Sequence, residues 1–301
     1  MSLRAVKQII EPRPTIEGAG VKLQRAFGFG NTREFDPFLL LDDFRNDNPN
    51  DYAAGFPWHP HRGIETITYV LAGSVEHGDS LGNKGEMTAG DVQWMTAGSG
   101  ILHQEMPKGD SRGRMHGFQL WANLPANLKM TDPRYQDIPA SAIPEITDDD
   151  ETRVRVICGE FWGKRGPVTG VAADPSYLDV SVPPNRRRRL KIETTRNAFA
   201  YVFAGSGTFR DASDPRAVLT ESAVDPNAKA KYDARNHSLV LFDRGDEISV
   251  QAGEEGIRFL LVSGKPIEEP VAWYGPIVMN TQEELRQAVT ELQSGTFIKH
   301  P

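Results

Sequence analysis

Short runs rich in Val, Ile, Phe, Tyr and Thr follow one another along most of this chain, each bounded by Gly, Asn, Asp or Pro. That rhythm restricts the fold more than any other feature. The runs include 38–41, 65–71, 91–96, 116–121, 153–158, 177–182, 189–193, 198–203, 238–242 and 258–262. β-branched and aromatic side chains fit a pleated, half-buried surface, and the residues between them are turn formers. No helical stretch separates the runs, so the spacing predicts an all-β chain, an antiparallel sandwich or barrel. One helix is predicted, near the end. Thr281 is its N-cap, Gln282-Glu283-Glu284 its acidic first turn, and Leu285, Ala288, Val289 and Leu292 its apolar stripe, with Gly295 placed to stop it.

At 301 residues the chain has room for two domains. A boundary falls where Pro125, Pro133, Pro139 and Pro144 lead into the acid run Asp148-Asp149-Asp150-Glu151. The expected division is an N-terminal domain over 1–130, a linker over 131–151, a C-terminal domain over 152–265, and a tail with the helix over 266–301. The halves repeat one plan. Thr66-Ile67-Thr68-Tyr69-Val70-Leu71-Ala72-Gly73-Ser74 leads to Gly90-Asp91, and Ala198-Phe199-Ala200-Tyr201-Val202-Phe203-Ala204-Gly205-Ser206 leads to Gly245-Asp246.

His59-x-His61 heads one strand-like run, and His103-x-Glu105 lies in another. Residues i and i+2 of a strand share a face, so each pair projects two ligand atoms in one direction. If the strands meet across a small barrel, three imidazoles and a carboxylate converge. That set suits one divalent transition metal: imidazole favours Fe, Ni, Cu or Zn, and a carboxylate admits Mn. Glu65 lies four residues past His61 and shares its face in a regular strand. It reads as a fifth ligand, as a partner fixing an imidazole, or as a charge that leaves the pattern at a bulge. In the second half Arg186 to Arg189 stand where the first has His59 and His61, and Gly253 to Gly256 where it has His103. The second half is expected to keep the scaffold without ligands, so one metal is expected, in the N-terminal half.

Composition narrows the partners. The net charge of -7 argues against nucleic acid as an obligatory partner. No apolar run approaches the roughly 18 residues that span a bilayer, and 1–7 do not read as a secretory signal. The single cysteine, Cys158, rules out an internal disulfide framework and is expected in the core of the second domain. A cytoplasmic protein, or a nuclear one if eukaryotic, is expected, with no membrane partner and a monomer as the expected state.

Three segments resemble the cupin superfamily and, within it, the pirin family. They are Phe56-Pro57-Trp58-His59-Pro60-His61-Arg62-Gly63-Ile64-Glu65, the stretch from Gly90-Asp91-Val92 to His103-Gln104-Glu105-Met106-Pro107, and His116-Gly117-Phe118-Gln119-Leu120-Trp121. Tyr274-Gly275-Pro276-Ile277-Val278-Met279-Asn280 is similar to the pirin tail. The resemblance implies two cupin (jelly-roll) β-barrels in tandem. It implies one metal, usually Fe(2+), held in the N-terminal barrel by His59, His61, His103 and Glu105, with Ni, Mn, Cu, Co or Zn as alternatives. It favours Glu105 over Glu65 as the carboxylate ligand.

The resemblance also implies a quercetin 2,3-dioxygenase activity, with a flavonol and O2 as substrates and carbon monoxide released. Glu105 is then the candidate proton acceptor and Glu65 the reserve. Trp58, Trp94, Met95, Met106, Phe118 and Trp121 lie near the ligands in sequence, and some are expected to line an apolar mouth for a flat aromatic ring. The alternative that the resemblance offers is a metal- and redox-sensitive regulator that binds transcription factors or other proteins. In that reading Arg186 to Arg189 form a nuclear address or a patch for an acidic partner. Of the remaining histidines, His116 is expected to support a ligand from behind and His77 to sit in a loop. No partner is foreseen for His237 or His300.

Overall fold

The computed structural model describes residues 2–209 and 233–299. Two compact β units emerge, and they do not follow chain order. The N-terminal unit consists of Arg13–Ile143, Pro167–Ala173 and Ile267–Pro301. The C-terminal unit consists of Met1–Pro12, Pro144–Gly166 and Asp174–Pro266. The first strand, Val6–Ile10, pairs antiparallel with Leu239–Phe242 and so belongs to the C-terminal unit. The expected linker over 131–151 is divided between the units: Arg134–Ile138 pairs with Val92–Thr96, and Glu145–Thr147 pairs with Arg153–Cys158. Strand rhythm reveals where strands are but not which distant strand each will meet, and these pairings are non-local.

Among the described residues the N-terminal unit has a two-stranded sheet in the tail, which pairs Ala272–Tyr274 with Ile277–Met279, and two main sheets. The larger runs Arg134–Ile138, Val92–Thr96, Ile64–Ala72, His116–Asn123, Phe38–Asp43, Val21–Phe27, Arg13–Glu17. The smaller runs Phe56–His61, Ile101–Lys108, Ser74–Asp79, Lys84–Met87. The chain passes from the small sheet to the large one at Arg62-Gly63. Gly63 has φ of +75°, and a Cβ there would lie 2.0 Å from the Val278 carbonyl oxygen. Only glycine admits both the turn and that close approach. Lys129 Nζ closes the corner by donating to the Gly63 and Val278 carbonyls at 2.8 and 2.9 Å.

The predicted helix forms over Gln282–Gln293 with its capping box complete. Thr281 Oγ1 accepts from the Glu284 N–H, and Glu284 Oε2 accepts from the Thr281 N–H. Leu285 and Ala288 pack on Ala272, Ile277, Met279 and Phe297, so the tail completes the N-terminal unit. Among the described residues no helix is long and apolar enough to cross a membrane.

Among its described residues the C-terminal unit has a small hairpin of Glu160–Phe161 with Lys164–Arg165 and a nine-stranded sheet, dominated by the long strands Asn197–Phe209 and Glu247–Gly264. Register shifts at Val202/Ala204 and Gly205/Gly207 mark irregularities in their pairing. The internal repeat is present, but its second landmark sits elsewhere than expected. Val70 exchanges backbone hydrogen bonds with Gly90 and Asp91, and Val202 does the same with His237 and Ser238. His237-Ser238, not Gly245-Asp246, therefore occupies the place of Gly90-Asp91. His237 adopts φ of +70° where Gly90 has +96°, a conformation that histidine tolerates better than most residues. Likewise the run that faces Arg187–Lys191 is 247–251 rather than 253–256.

Candidate metal centre

His59 and His61 end the strand Phe56–His61, and His103 and Glu105 lie on its antiparallel neighbour Ile101–Lys108. His103 stands opposite His59, and a register shift then sets Glu105 opposite Phe56. Along the second strand Ile101, His103, Glu105 and Pro107 are buried while the alternate residues are less so, as the period of two requires. The imidazole centroids lie 4.4 Å apart for His59 and His103, 4.9 Å for His59 and His61, and 4.9 Å for His61 and His103. One nitrogen from each ring lies within 4.8 Å of the others.

The protonation pattern favours a cation between them. His59 Nδ1 lies 2.9 Å from the Pro57 carbonyl, which can only accept, so Nδ1 donates there and Nε2 is the nitrogen turned to the other rings. That Nε2 is 3.1 Å from His61 Nε2. Both ring nitrogens of His103 are buried with no hydrogen-bond partner. Burial first, and then the neighbouring His59 and His103, hold His61 well below the usual histidine range. Burial likewise pushes His103 down to about 4, with Glu105 opposing. Neutral imidazoles with unpartnered inward nitrogens are the form that binds a metal, so the residues present fit one.

Glu105 is buried beside the three rings, outside the tight nitrogen cluster. Its Oε1 accepts from Thr68 Oγ1 at 3.1 Å and its Oε2 from Gln119 Nε2 at 3.0 Å. Gln119 Oε1 accepts in turn from Trp121 Nε1 at 2.9 Å. The Trp121 ring meets His61 edge-on, with centroids 5.1 Å apart. This chain of contacts fixes the carboxylate and one imidazole together. Nothing in the local sequence announced Gln119 as its link.

Glu65 is not on this face. The strand breaks at Gly63, so counting by twos from His61 fails. Glu65 pairs with Thr96 across the large sheet, and its Oε1 accepts from Thr96 Oγ1 at 2.8 Å. Thr68, three residues on, points at Glu105, so Glu65 points the opposite way. Burial raises its pKa to about 7, but it cannot serve the histidines as ligand or reserve base.

The other histidines also find places. His77 lies on the strand Ser74–Asp79 rather than in a loop, buried and directly opposite Glu105. Its Nε2 accepts from Gln93 Nε2 at 2.9 Å. The inward alternation of Val75, His77 and Asp79 was the signal that could have placed it. His116 does not support a ligand; its Nε2 is 2.6 Å from Asp47 Oδ1. His237 Nδ1 faces the Tyr201 hydroxyl at 3.3 Å, and His300 lies outside the described residues. Cys158 is buried in the C-terminal unit, as expected.

A cavity of about 430 Å³ opens onto His59 and His61. Of the aromatic and thioether candidates, Trp58 and Trp121 line it. Trp94, Met95 and Phe118 are fully buried core. Residues that sequence reasoning missed complete the wall: Phe29, Leu40, the Arg25–Asp42 ion pair, and Gly275-Pro276 from the tail.

Comparison with known proteins agrees with this architecture. The family described as Pirin matches residues 20–122, and the Pirin C-terminal cupin domain matches 177–298. A pirin-like protein of Caulobacter vibrioides is 43% identical over 298 residues, covering 99% of this chain and 100% of its own. A crystal structure of quercetin 2,3-dioxygenase from Acinetobacter baumannii is similar with a TM-score of 0.85 at 30% identity, covering 98% of this chain and 99% of that one. A bacterial pirin from Escherichia coli, solved in complex with nickel(II), shares the fold with a TM-score of 0.63 at 22% identity, covering 86% of this chain and 98% of that one.

Proposed function

Because this chain belongs to the pirin family, with two cupin-type domains in tandem, we propose that it is a metal-dependent dioxygenase acting on flavonols such as quercetin. In the reaction two carbon–carbon bonds of the central ring break, both atoms of O2 enter the product, and one ring carbon leaves as carbon monoxide. The observation that carries this reading is the set of three imidazoles whose nitrogens converge within 4.8 Å, two of the rings at the wall of an aromatic cavity. His59, His61 and His103 hold a divalent transition metal, with Fe(2+) or Ni(2+) the leading candidates, and Glu105 supplies the fourth ligand. When bound, the metal supplies a Lewis-acidic centre that can exchange electrons with dioxygen.

The chain's own residues do the rest. Glu105 accepts the proton of the substrate hydroxyl, with Thr68 and Gln119 keeping the carboxylate in place. Trp121 and Trp58 offer flat apolar walls for the rings. Metal-loaded protein is expected to consume O2 and release carbon monoxide with quercetin, and His103→Ala to do neither. Wild type and His103→Ala behaving alike would overturn the reading.

The regulator reading draws less support. Arg188 pairs with Asp148 and with Asp150, Arg189 lies 3.3 Å from Glu247, and Arg187 donates to Gln251. Much of the arginine run is thus engaged within its own unit rather than presented as a free basic patch.

A further inference from the structure

A row of polar side chains crosses the large sheet of the N-terminal unit. Thr68 stands opposite Gln119, Gln119 opposite Asp42, and Asp42 opposite Arg25. Residues in register across antiparallel strands share a face. Thr68 and Gln119 hold Glu105, so the row starts at the metal centre and runs away from it. Neighbouring strands lie about 4.8 Å apart, which places Arg25 about 10 Å from Gln119.

The far end of the row is a built polar site. Arg25 Nε donates to Asp42 Oδ1 at 2.8 Å and its Nη2 to Asp42 Oδ2 at 2.7 Å. Its Nη1 lies 2.9 Å from Glu17 Oε1. Asp42 is only 6% exposed, yet Arg25, Asp42 and Glu17 all line the cavity that His59 and His61 line. Hydrogen-bonding capacity is left over. Three of the five guanidinium N–H groups are engaged, and each carboxylate oxygen has a second lone pair. Trp121, Leu40 and Phe29 give the same cavity an apolar wall as well. A pair needed only to join two strands would gain nothing from facing an aromatic cavity. A ligand with a metal-binding oxygen at one end and hydroxyl groups at the other would engage both ends at once.

We propose that the Arg25–Asp42 pair is the cavity's second recognition point, binding hydroxyl groups on a ring two strand spacings, about 10 Å, from Gln119, and that it selects polyphenols hydroxylated at both ends. The inference rests on the aromatic-ligand reading of the cavity and deepens it. Arg25 and Asp42 act as specificity residues; neither touches the reacting atoms.

The test is binding to protein loaded with Zn(2+), which is redox-inert, so that turnover does not intervene. Quercetin carries hydroxyls on its distal ring and 3-hydroxyflavone does not, and both are titrated by absorbance shift and fluorescence quenching. Wild type is expected to prefer quercetin by about tenfold or more, the worth of one hydrogen bond to a charged group. Arg25→Met and Asp42→Asn are expected to bring that ratio close to one while leaving 3-hydroxyflavone affinity within about threefold. Arg25→Lys is expected to restore part of the preference. Asp42→Asn is nearly isosteric and carries the test if Arg25→Met does not fold. Equal affinities in wild type, or variants that weaken both ligands alike, would overturn the proposal. If neither compound binds zinc-loaded wild type, the aromatic-ligand reading fails first and the second recognition point with it.

Discussion

The two units share a strand plan but set opposite chemistry on the strands that carry the histidines in the first. In the N-terminal unit the facing strands bury His61, His103, Glu105, His77 and Asp79 beside Val75 and Ile101, joined by Thr68. In the C-terminal unit the corresponding strand carries Ile248, Val250 and Ala252, packed with Leu190, Val202, Phe209 and Phe259 in one apolar cluster. The backbone exchange around Val70 recurs around Val202, so the scaffold needs none of the histidines. A buried polar group without a partner costs about 1–3 kcal/mol, and the N-terminal interior keeps several: His61 Nδ1, both nitrogens of His103, and His77 Nδ1. The cluster around Phe259 is apolar, whereas the rings of His61 and His103 carry a penalty that a bound cation would relieve. Fold is common to both; function belongs to the side chains set on it.

The sharpest ways to break this contrast perturb each interior separately. Phe259→Ala should destabilise the C-terminal unit by about 3–5 kcal/mol, since Phe259 is fully buried against Phe209 with ring centroids 5.4 Å apart. Urea unfolding measures the loss, and metal stoichiometry should not change. A variant that lost its metal would mean the units are not energetically distinct in this way. The next largest effect belongs to the N-terminal interior. Metal at a hundredfold excess over its dissociation constant should stabilise wild type by about 2.7 kcal/mol, and His103→Ala should abolish that gain. Thermal unfolding with and without Ni(2+), together with elemental analysis, checks both halves of the statement.

Much of this contrast was legible in the sequence because it is local. The period of two in His59-x-His61 and His103-x-Glu105, and the capping box at Thr281 and Glu284, need only neighbours to be read. What failed was whatever depended on a break or on a distant partner. Glu65 was placed by counting across Gly63, where a left-handed turn ends one strand and begins another in a different sheet. Gly78-Asp79 resembles a turn and so points to a loop at His77, but the strand continues to Asp79. The assignment of Val6–Ile10 to the C-terminal unit and of the tail to the N-terminal unit reflects pairings between opposite ends of the chain. Arg25 and Asp42 meet only because their strands are adjacent in the sheet.

Two smaller effects would sharpen the contrast by converting one interior toward the other. His103→Leu should stabilise the metal-free protein by about 1–2 kcal/mol, because it replaces two buried, unpartnered nitrogens with an apolar group of the kind found at Val250. The gain should vanish once wild type is given metal. The same residue predicts the smallest effect, a pH dependence of the metal-free protein. Burial lowers His103 to about 4 in the fold, against an ordinary value near 6.5 in the unfolded chain. Above pH 6.5 both states are neutral at this ring, and its share of stability is fully present. As pH falls from 6.5 toward 4 the unfolded chain binds the proton first, so stability declines, and below 4 this ring adds no further loss. Carboxylates also titrate in acid, so the measurement is the difference in urea midpoint between wild type and His103→Leu across that window. The difference should widen as pH falls from 6.5 and level off near 4; a difference independent of pH would show that the His103 ring is not buried neutral in the metal-free fold.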